Sequence, residues 1–435
     1  MPSRLIEWLA NVPEVAAELW RGGRGPVLVA VAAGWFLSLG VRMMYPAVLP
    51  HLRTAFELDL TTAGLLISGL WAAYALGQLP GGMLDDHVDE GRVLVVSSVV
   101  SAVLLAAVVA AGSVALVFGA TLAFGFATAL YGVARFTLLS ELYPDHDGTA
   151  IGLTMAAGDL GNSVLPPAAG LLAVAVAWQA GIAVAVPLFL VAAVALHLVV
   201  SNGNVRDGGD GSGGNADPDG ADDPDGEDPP GSDDPDGLRD TVARLATAFR
   251  SQPVLLVVAI QTLGYAVWQS FTAFYPTYLV EAKGIAPTTA TALFGGFFAL
   301  GILVKPLAGS AYDEYGLRRS LPVLLVGITV ALFLLPFVDG FVAVVGVTAL
   351  ASSVLGYGTV TLTFLTDALP ETVQGTGLGA LRTGYMGVGA GGPTVVGALA
   401  DAGFFDEAFL LLGCIAAGML GLCLLVPPGV TPEDV

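Results

Sequence analysis

Charged residues are scarce in this chain of 435 residues. Only 12% are Asp, Glu, Lys or Arg, whereas 55% are hydrophobic and the mean hydropathy is +0.77. A soluble globular domain carries about 25% charged residues. Half that share, together with long apolar runs, is typical of a protein that crosses the membrane many times.

Positive charge is scarcer than negative charge, and the imbalance is local. The formal net charge is −21, and residues 202–237 contain twelve acids against a single base, Arg206. This Gly- and Pro-rich stretch has almost nothing to bury and is predicted to be disordered. It fits either a high-salt habitat or an ordinary acidic linker. An acidic surface also argues against nucleic acid as a partner.

Residues that carry enzyme chemistry are few as well. The two cysteines, Cys414 and Cys423, lie nine positions apart in one apolar run, too far along a helix to form a disulfide. The four histidines lie near the ends of apolar segments without metal-ligand spacing, and no phosphate-binding loop is evident. We therefore expect no enzyme activity, no metal and no cofactor.

Twelve apolar segments are long enough to cross a bilayer, which takes about 20 residues each. They lie near residues 25–50, 60–84, 92–112, 115–141, 148–175 and 180–201, and near residues 253–280, 287–311, 319–338, 341–368, 375–400 and 404–427. The two blocks, 25–201 and 253–427, are nearly equal in length. The pattern predicts an all-α polytopic membrane protein with twelve transmembrane helices in two pseudo-symmetric six-helix halves.

The segments outside the two bundles are predicted to be cytoplasmic. Residues 1–24 form an amphipathic surface segment, residues 202–252 the acidic linker with a short amphipathic helix, and residues 428–435 a tail. With the N-terminus inside, nearly all basic residues between spans, Lys305 included, lie at the inner boundary. The sequence thus predicts a multi-pass protein of the cell membrane with both termini cytoplasmic.

Short motifs recur in the two halves at nearly constant displacement. "GMLDD" follows the second span and "GSAYD" follows the eighth, and each has a glycine with an aspartate four residues later. "ELYP", which begins at Glu141, and "DALP", which begins at Asp367, end the fourth and tenth spans. Parallel halves of this kind indicate a duplication and are typical of secondary transporters.

These features resemble the major facilitator superfamily over residues 25–427. The family's loop signature is a glycine, an aspartate four positions later, a basic residue, a glycine and two arginines. "GSAYDEYGLRRS" keeps most of it, whereas "GMLDDHVDEGRV" keeps the first glycine and aspartate and delays the arginine. The resemblance implies a gate formed by Gly82, Asp86, Arg92, Gly309, Asp313, Gly316, Arg318, Arg319, Glu141, Asp367 and Arg382.

By the same resemblance, two acids of the gate loops contact helix starts in the other half. Asp86 would meet the start of the eleventh span and Asp313 the start of the fifth, where helix N-terminal amides attract carboxylates. The alternative is that each aspartate only caps its own turn. Arg382 either joins the gate, pairing with Glu141 or Asp86, or snorkels to the surface.

A narrower resemblance lies in the first two spans. "GVRMMYPAVLP", which contains Arg42, and "YALGQLPGG", which contains Gln78, are similar to the anion-cation symporter and organophosphate antiporter branches. In those branches a first-span arginine binds the anionic group of the substrate, and this role is implied for Arg42. Organophosphate antiporters add an arginine in the seventh span, which this chain lacks, so a monoanion such as a carboxylate is expected. The alternative is that Arg42 snorkels outward.

Polar and aromatic residues of the first, second and seventh spans are further candidates for the substrate site. They are Tyr45, Gln78, Gln261, Tyr265, Trp268 and Gln269. Residues of these types more often pack between helices or anchor at membrane interfaces. For each of them, such a structural role is the alternative.

Two charges deep in the fourth and fifth spans are candidates for ion coupling. At helical rise, Arg135 lies about 9 Å and Asp159 about 16 Å from the inner ends of their spans. Consecutive spans usually pack together, so the two side chains are placed where they can meet. They form either a proton-coupling pair or a permanent structural ion pair.

The sequence favours a secondary active transporter that moves a small organic anion by alternating access coupled to a cation gradient. A proton-driven exporter of drugs or metabolites from the same superfamily is the alternative if Arg42 is dispensable. A non-transporting membrane receptor is the alternative from another class, but it leaves the duplicated loops unexplained. The expected partners are the substrate, a coupling cation and the lipid bilayer, with no obligate protein partner.

Overall fold

The computed structural model of this chain is a bundle of α-helices. It describes residues 18–20, 24–85, 89–144, 146–201, 251–369 and 374–427. The predicted N-terminal segment 1–24 and the linker 202–252 lie almost wholly outside the described residues. The tail 428–435 and Asp86 lie outside them entirely.

Seven helices build the first half of the described structure. They are α1 (Gly25–Phe56), α2 (Leu60–Asp85), α3 (Glu90–Val109), α4 (Val114–Leu142), α5 (Asp147–Ala175), α6 (Trp178–Ala183) and α7 (Ala185–Ser201). The short α6 and α7 together make the sixth membrane crossing.

Eight helices build the second half. They are α8 (Gln252–Glu281), α9 (Pro287–Tyr315), α10 (Leu317–Leu334), α11 (Phe341–Ala351), α12 (Val354–Asp367), α13 (Gln374–Gly389), α14 (Gly392–Asp401) and α15 (Phe405–Leu425). The pairs α11–α12 and α13–α14 are broken helices that make the tenth and eleventh crossings. The prediction of twelve transmembrane helices in two halves is confirmed. Ten segments of the described chain are individually long and apolar enough to span a membrane.

Local sequence signals place several of the helix starts. The Ser113 hydroxyl accepts a hydrogen bond from the Leu116 amide, and the Asp89 carboxylate accepts one from the Arg92 amide at 2.9 Å. Proline stands in the first turn of α1, α8 and α9, where no amide hydrogen is needed. Between α9 and α10, Gly316 has φ +73°, a backbone conformation that strongly favours glycine.

Helix packing joins the two halves in a symmetric way. Within the first half α1 packs on α5 and α2 on α4, and within the second half the corresponding helices α8 and α13 pack together, as do α9 and α12. Between the halves α5 packs on α9 and α2 packs on α14. In the following, the terminal side is the side of Gly25, Ser201, Gln252 and Leu425, and the far side is the opposite one.

Glycines allow α2 and α14 to touch at the far side. A Cβ atom built on Gly397 of α14 stands 2.2 Å from the Leu60 carbonyl oxygen, and one built on Gly64 of α2 stands 2.4 Å from the Pro393 carbonyl oxygen. Both neighbours are backbone atoms, which cannot rotate out of the way as a side chain can. The seam between α2 and α14 therefore depends on residues without a side chain.

We expect Gly397→Ala to separate α2 from α14 and to open the far side. The reporter is Ser68→Cys in a Cys414→Ser background, because the Ser68 hydroxyl is buried in this seam, where the Thr394 amide and hydroxyl hydrogen-bond to it. In detergent, a maleimide should label Cys at position 68 several-fold faster in the Gly397→Ala protein.

Gly418→Ala is the matched control, because nothing lies within 4 Å of its built Cβ. It makes the same helical glycine-to-alanine change without touching the seam. Equal labelling rates in the Gly397→Ala and Gly418→Ala proteins would show that the seam does not hold the far side closed.

Candidate functional site: a central cavity beside buried arginines

A cavity of about 600 Å³ lies between the two halves and opens to the terminal side. Its wall runs from Trp268 in the middle of α8 to Asp367 at the terminal end of α12. Helices α5 and α9 supply Asp159 and Lys305, and α13 supplies Tyr385. Cavities of roughly 300–1,000 Å³ suit small-molecule ligands.

The far side of the cavity is closed by contacts between the halves. The Asp401 carboxylate, at the end of α14, accepts hydrogen bonds from the Leu60 amide at 2.8 Å and the Thr61 amide at 2.6 Å. The Thr61 hydroxyl donates to the same carboxylate at 2.5 Å. These are the free amides at the start of α2, where a negative charge is favourable. An Arg53–Glu281 ion pair joins the far ends of α1 and α8.

The start of α2 also has a cap of its own. Asp59 Oδ1 accepts a hydrogen bond from the Thr62 amide at 2.7 Å. Hydrogen bonds from the Thr62 side chain and backbone hold the pKa of the Asp59 carboxyl below its ordinary value. The helix start is thus capped once from its own loop and once from the other half of the protein.

Arg42 is completely buried in the middle of α1. Its Nε donates to the Ser38 carbonyl at 3.0 Å, one turn earlier on the same helix. Neither Nη1 nor Nη2 has a hydrogen-bond partner in the described chain. Burying a charge without a partner costs several kcal/mol, so an anion that reached this guanidinium would lower its free energy.

Aromatic rings surround the Arg42 guanidinium. Its Cζ lies 3.8 Å from the ring centroid of Tyr74, 4.8 Å from that of Trp71 and 5.7 Å from that of Trp35. The face of an aromatic ring attracts a cation through its quadrupole. These rings compensate part of the buried charge without neutralising it.

An aromatic layer continues from this group across the interface between the halves. The ring centroids of Trp71 and Trp268 are 5.6 Å apart, those of Tyr265 and Trp268 are 5.5 Å apart, and those of Tyr265 and Tyr385 are 5.2 Å apart. Tyr265, Trp268 and Tyr385 line the cavity, whereas Arg42 does not. The layer therefore stands between the guanidinium and the open cavity.

Arg135 and Asp159 do not pair, contrary to the expectation from consecutive spans. Arg135 Nη1 donates to the Thr154 hydroxyl at 2.7 Å and Nη2 contacts Met155 Sδ at 3.5 Å. Asp159 instead accepts a hydrogen bond at 2.6 Å from Lys305 of α9. Thr154 and Asp159 are five residues apart, so they point about 140° away from each other around α5. Thr154 faces α4, and Asp159 faces the other half.

Lys305 is a site residue that sequence reasoning missed. It was placed at the inner boundary, but it lies ten residues before the end of α9 and lines the cavity. Trp71, Tyr74 and Asp401 were missed as well. Trp71 and Tyr74 follow each other at a spacing of three, which puts them on one face of α2, so a search for aromatic pairs near Arg42 would have found them.

A family model described as Major Facilitator Superfamily matches residues 31–386 and 257–435. The chain belongs to this superfamily. Its members are membrane transporters, which agrees with the two-fold bundle, the central cavity and the membrane-spanning helices described above.

Curated relatives of this superfamily member carry names that mention anions. It is 25% identical to the cis,cis-muconate transport protein of Acinetobacter baylyi over 85% of this chain and 86% of that protein. It is 23% identical to the hexuronate transporter of Bacillus subtilis over 90% of this chain and 92% of that protein. It is 22% identical to the nitrite extrusion protein of the same organism over 52% of this chain and 50% of that protein.

Solved structures share the fold at low sequence identity. A bacterial homolog of the human lysosomal transporter Spinster, in an inward-facing and unoccupied conformation, matches with a TM-score of 0.73 and 14% identity over 93% of this chain and 96% of that one. The nucleoside transporter NupG matches with a TM-score of 0.72 and 12% identity over 92% of this chain and 99% of that one. At such identities the likeness shows the fold alone.

The predicted substrate residues of this superfamily member fall into two groups. Gln261, Tyr265 and Trp268 line the cavity, and Gln261 accepts a hydrogen bond from Thr361 at 2.6 Å. Tyr45, Gln78 and Gln269 do not line it. Tyr45 lies in the core of the first half, where its hydroxyl accepts a hydrogen bond from Thr121 at 3.2 Å. This position agrees with the alternative given in the sequence analysis, that such a residue packs between helices and does not contact the substrate.

The predicted gate residues lie near the terminal side. Gly82 lies within α2, and Arg92 and Gly309 lie in α3 and α9. Asp313, Arg319, Glu141 and Asp367 are exposed. Arg318 donates to the Val426 carbonyl, which ties the start of α10 to the end of α15. Arg382 is half-buried, with its Cζ 5.7 Å from the Phe136 ring centroid.

The gate contact expected for Asp313 is not formed in this conformation. Within the described chain its carboxylate has no hydrogen bond to the start of α5, and Arg382 does not pair with Glu141. The cavity is open on this side, so the two halves are apart where these contacts would lie.

The Asp159–Lys305 pair predicts a measurable energetic coupling. Asp159→Asn and Lys305→Gln should each lower the melting temperature in detergent. The double variant should lower it by less than the sum of the two single decreases. We expect a coupling of about 1 kcal/mol or less, because the Lys305 side chain is 37% exposed.

The control is a second double-mutant cycle, which combines Asp159→Asn with Lys283→Gln. Lys283 is the other lysine of the chain, and it donates to the Pro336 carbonyl on the far side. That cycle should be additive. If the stability effects of Asp159→Asn and Lys305→Gln simply add, the ion pair does not contribute to the stability of the folded state.

Proposed function

We propose that this protein is a secondary active transporter of a small organic anion. The observation that carries the proposal is the buried Arg42 guanidinium, whose two terminal nitrogens have no partner in the described chain. A planar guanidinium binds a carboxylate through two parallel hydrogen bonds. The names of the relatives point the same way, since muconate, hexuronate and nitrite are all anions.

The terminal side is proposed to be the cytoplasmic side of the cell membrane. Arginines of the loops between spans concentrate there, as in Arg92, Arg318 and Arg319, whereas Arg53 and Lys283 lie on the far side. With this orientation the cavity faces the cytoplasm and both termini are cytoplasmic.

Alternating access follows from the contacts that close the far side. For the cavity to open outward, Asp401 has to leave the start of α2 and the Arg53–Glu281 pair has to break. The exposed gate residues, among them Asp313 and Arg319, then approach the other half on the terminal side. Each conformation is thus held by polar contacts on one side only.

The proposed coupling cation is a proton or sodium ion that acts at Asp159. Asp159 lines the cavity and is paired across the interface with Lys305. Neutralising the carboxylate would release Lys305 and thereby weaken a contact between α5 and α9. Arg135 is proposed to assist by holding α5 through Thr154, not by direct contact with Asp159.

We expect Arg42→Lys to weaken anion binding by about tenfold or more without unfolding the protein. Lysine keeps the charge but loses the planar pair of donors. Ligand-induced thermal stabilisation in detergent, with muconate, glucuronate and benzoate as probes, measures the effect. Arg42→Gln should abolish binding.

The matched control for Arg42 is Arg319→Gln, which neutralises an exposed arginine outside the cavity. It should bind each probe as the wild type does. Unchanged affinity in both Arg42 variants would refute the anion site and favour the exporter of uncharged or cationic compounds.

Asp159→Asn is expected to separate exchange from accumulation. The amide keeps the shape of the side chain but cannot release a proton or hold a cation by charge. In proteoliposomes, substrate exchange should continue while uphill uptake driven by a cation gradient is lost.

Asp147→Asn on the same helix is the control for Asp159→Asn, because Asp147 is exposed at the start of α5. It should retain uphill uptake. If Asp159→Asn also accumulates substrate normally, with unchanged dependence on the cation gradient, Asp159 is a structural residue.

A further inference from the structure

A second buried arginine lies close to Arg42, and it comes from α4. The Arg135 Cζ is 3.7 Å from the ring centroid of Trp35, and the Arg42 Cζ is 5.7 Å from the same centroid. Only 1% of Arg135 and none of Arg42 is exposed. The two guanidinium groups therefore share one indole ring, with Arg42 in the middle of α1 and Arg135 seven residues before the end of α4.

Neither guanidinium is neutralised by a carboxylate in the described chain. The polar partners of Arg135 are the Thr154 hydroxyl and Met155 Sδ, and its Nε has none. Asp159, the acid of α5 that lines the cavity, is paired with Lys305. Two like charges, whose Cζ atoms are at most 9.4 Å apart, thus remain without a carboxylate partner, which a low-dielectric environment makes costly.

We propose that the substrate is a dianion with two carboxylates, one bound by Arg42 and the other by Arg135. This deepens the proposed function and rests on it. A monocarboxylate would leave one buried guanidinium without a counter-charge, whereas a dicarboxylate matches both. The sequence favoured a monoanion because the seventh span has no arginine, but the fold supplies the second arginine from the fourth span.

Besides the aromatic layer, two cavity-lining side chains lie next to the arginines. Leu39 lies on α1 between Trp35 and Arg42, four residues after the first and three before the second, so all three share one helix face. Met155 lines the cavity and contacts Arg135 through its sulfur. Met is flexible and adapts easily to a ligand, so displacement of these two side chains gives the substrate access to both guanidiniums.

The residues around the two arginines also indicate the chemistry of the chain that links the two carboxylates of the substrate. Around the two arginines stand the rings of Trp35, Trp71 and Tyr74 together with Leu39. This lining offers flat apolar surfaces, and its unpartnered polar atoms besides the guanidiniums are few, namely Trp35 Nε1 and the Ser38 hydroxyl. An apolar, planar linker fits it, whereas a chain rich in hydroxyl groups would lose hydrogen bonds to water without replacement.

The test compares dicarboxylates with monocarboxylates of the same carbon skeleton. The central probes are muconate and sorbate, which share a conjugated chain and differ by one carboxylate, with adipate and glucarate as saturated and hydroxylated comparisons. Shorter and longer dicarboxylates, each with its matched monocarboxylate, extend the series. Dissociation constants come from calorimetry or thermal shift of the purified full-length chain.

In the wild type, dicarboxylates should bind about tenfold or more tightly than their monocarboxylate partners, since a buried charged hydrogen bond is lost in the latter. Arg135→Gln should remove this preference and leave monocarboxylate binding nearly unchanged. Arg42→Gln should abolish binding of both. Arg24→Gln, which neutralises a half-buried arginine at the N-cap of α1 outside the cavity lining, is the control and should keep the wild-type preference.

The possible results separate the dianion proposal from the proposed function on which it rests. If wild type binds mono- and dicarboxylates equally, or if Arg135→Gln keeps the preference, the dianion proposal is wrong while the anion site stands. If no carboxylate of the series binds wild type, the proposed function fails with it. Arg135→Lys, which keeps the charge, separates loss of the ligand contact from loss of folding. It should retain part of the preference, and an unliganded melting temperature near that of wild type verifies that it is folded.

Discussion

A positive charge that cannot reach water organises the centre of this transporter. Arg42 is fully buried in α1, and its terminal nitrogens meet no acceptor in the described chain. Each surrounding ring contributes about 2 kcal/mol when desolvated, but the rings accept no hydrogen bond from the terminal nitrogens, and repulsion from Arg135 works against them. Desolvating a charge costs several kcal/mol per ion. The two terminal nitrogens stay without acceptors, which is the basis of the anion site proposed above, and no carboxylate of the described chain pairs with them.

That arrangement is visible in what two acids at the interface between the halves do. Asp159 is held by Lys305, and Asp401 is held by the amides at the start of α2. Had Asp159 paired with Arg135 instead, the first half would carry its own counter-ion and the attraction for a substrate would fall. These two acids are used in contacts between the halves, and the two arginines keep no carboxylate partner in the described chain. In the proposed mechanism, substrate binding and domain closure therefore draw on separate sets of charges.

Sequence alone was sufficient for the architecture, because the length of an apolar run and the near-equal halves depend on local composition. It failed where the direction of a side chain around its helix decides the partner. Arg135 and Asp159 lie on neighbouring spans at plausible depths, yet Thr154 and not Asp159 faces α4. Lys305 was assigned to the membrane boundary because a count of basic residues ignores which helix face a lysine occupies. The contact of Asp401 with Leu60 spans 341 residues and has no local sequence signal.

The aromatic layer connects the ligand site to the interface between the halves. Trp71 packs against the Arg42 guanidinium in the first half, and its ring contacts Trp268 of the second half with centroids 5.6 Å apart. A carboxylate that binds Arg42 pulls the guanidinium toward itself and weakens its attraction to the Trp71 and Tyr74 rings. The same rings form part of the surface on which the halves meet. An anion that enters this site therefore changes the free energy of the interface between the halves, and such a difference between states is what a substrate needs in order to shift the transporter from one conformation to the other.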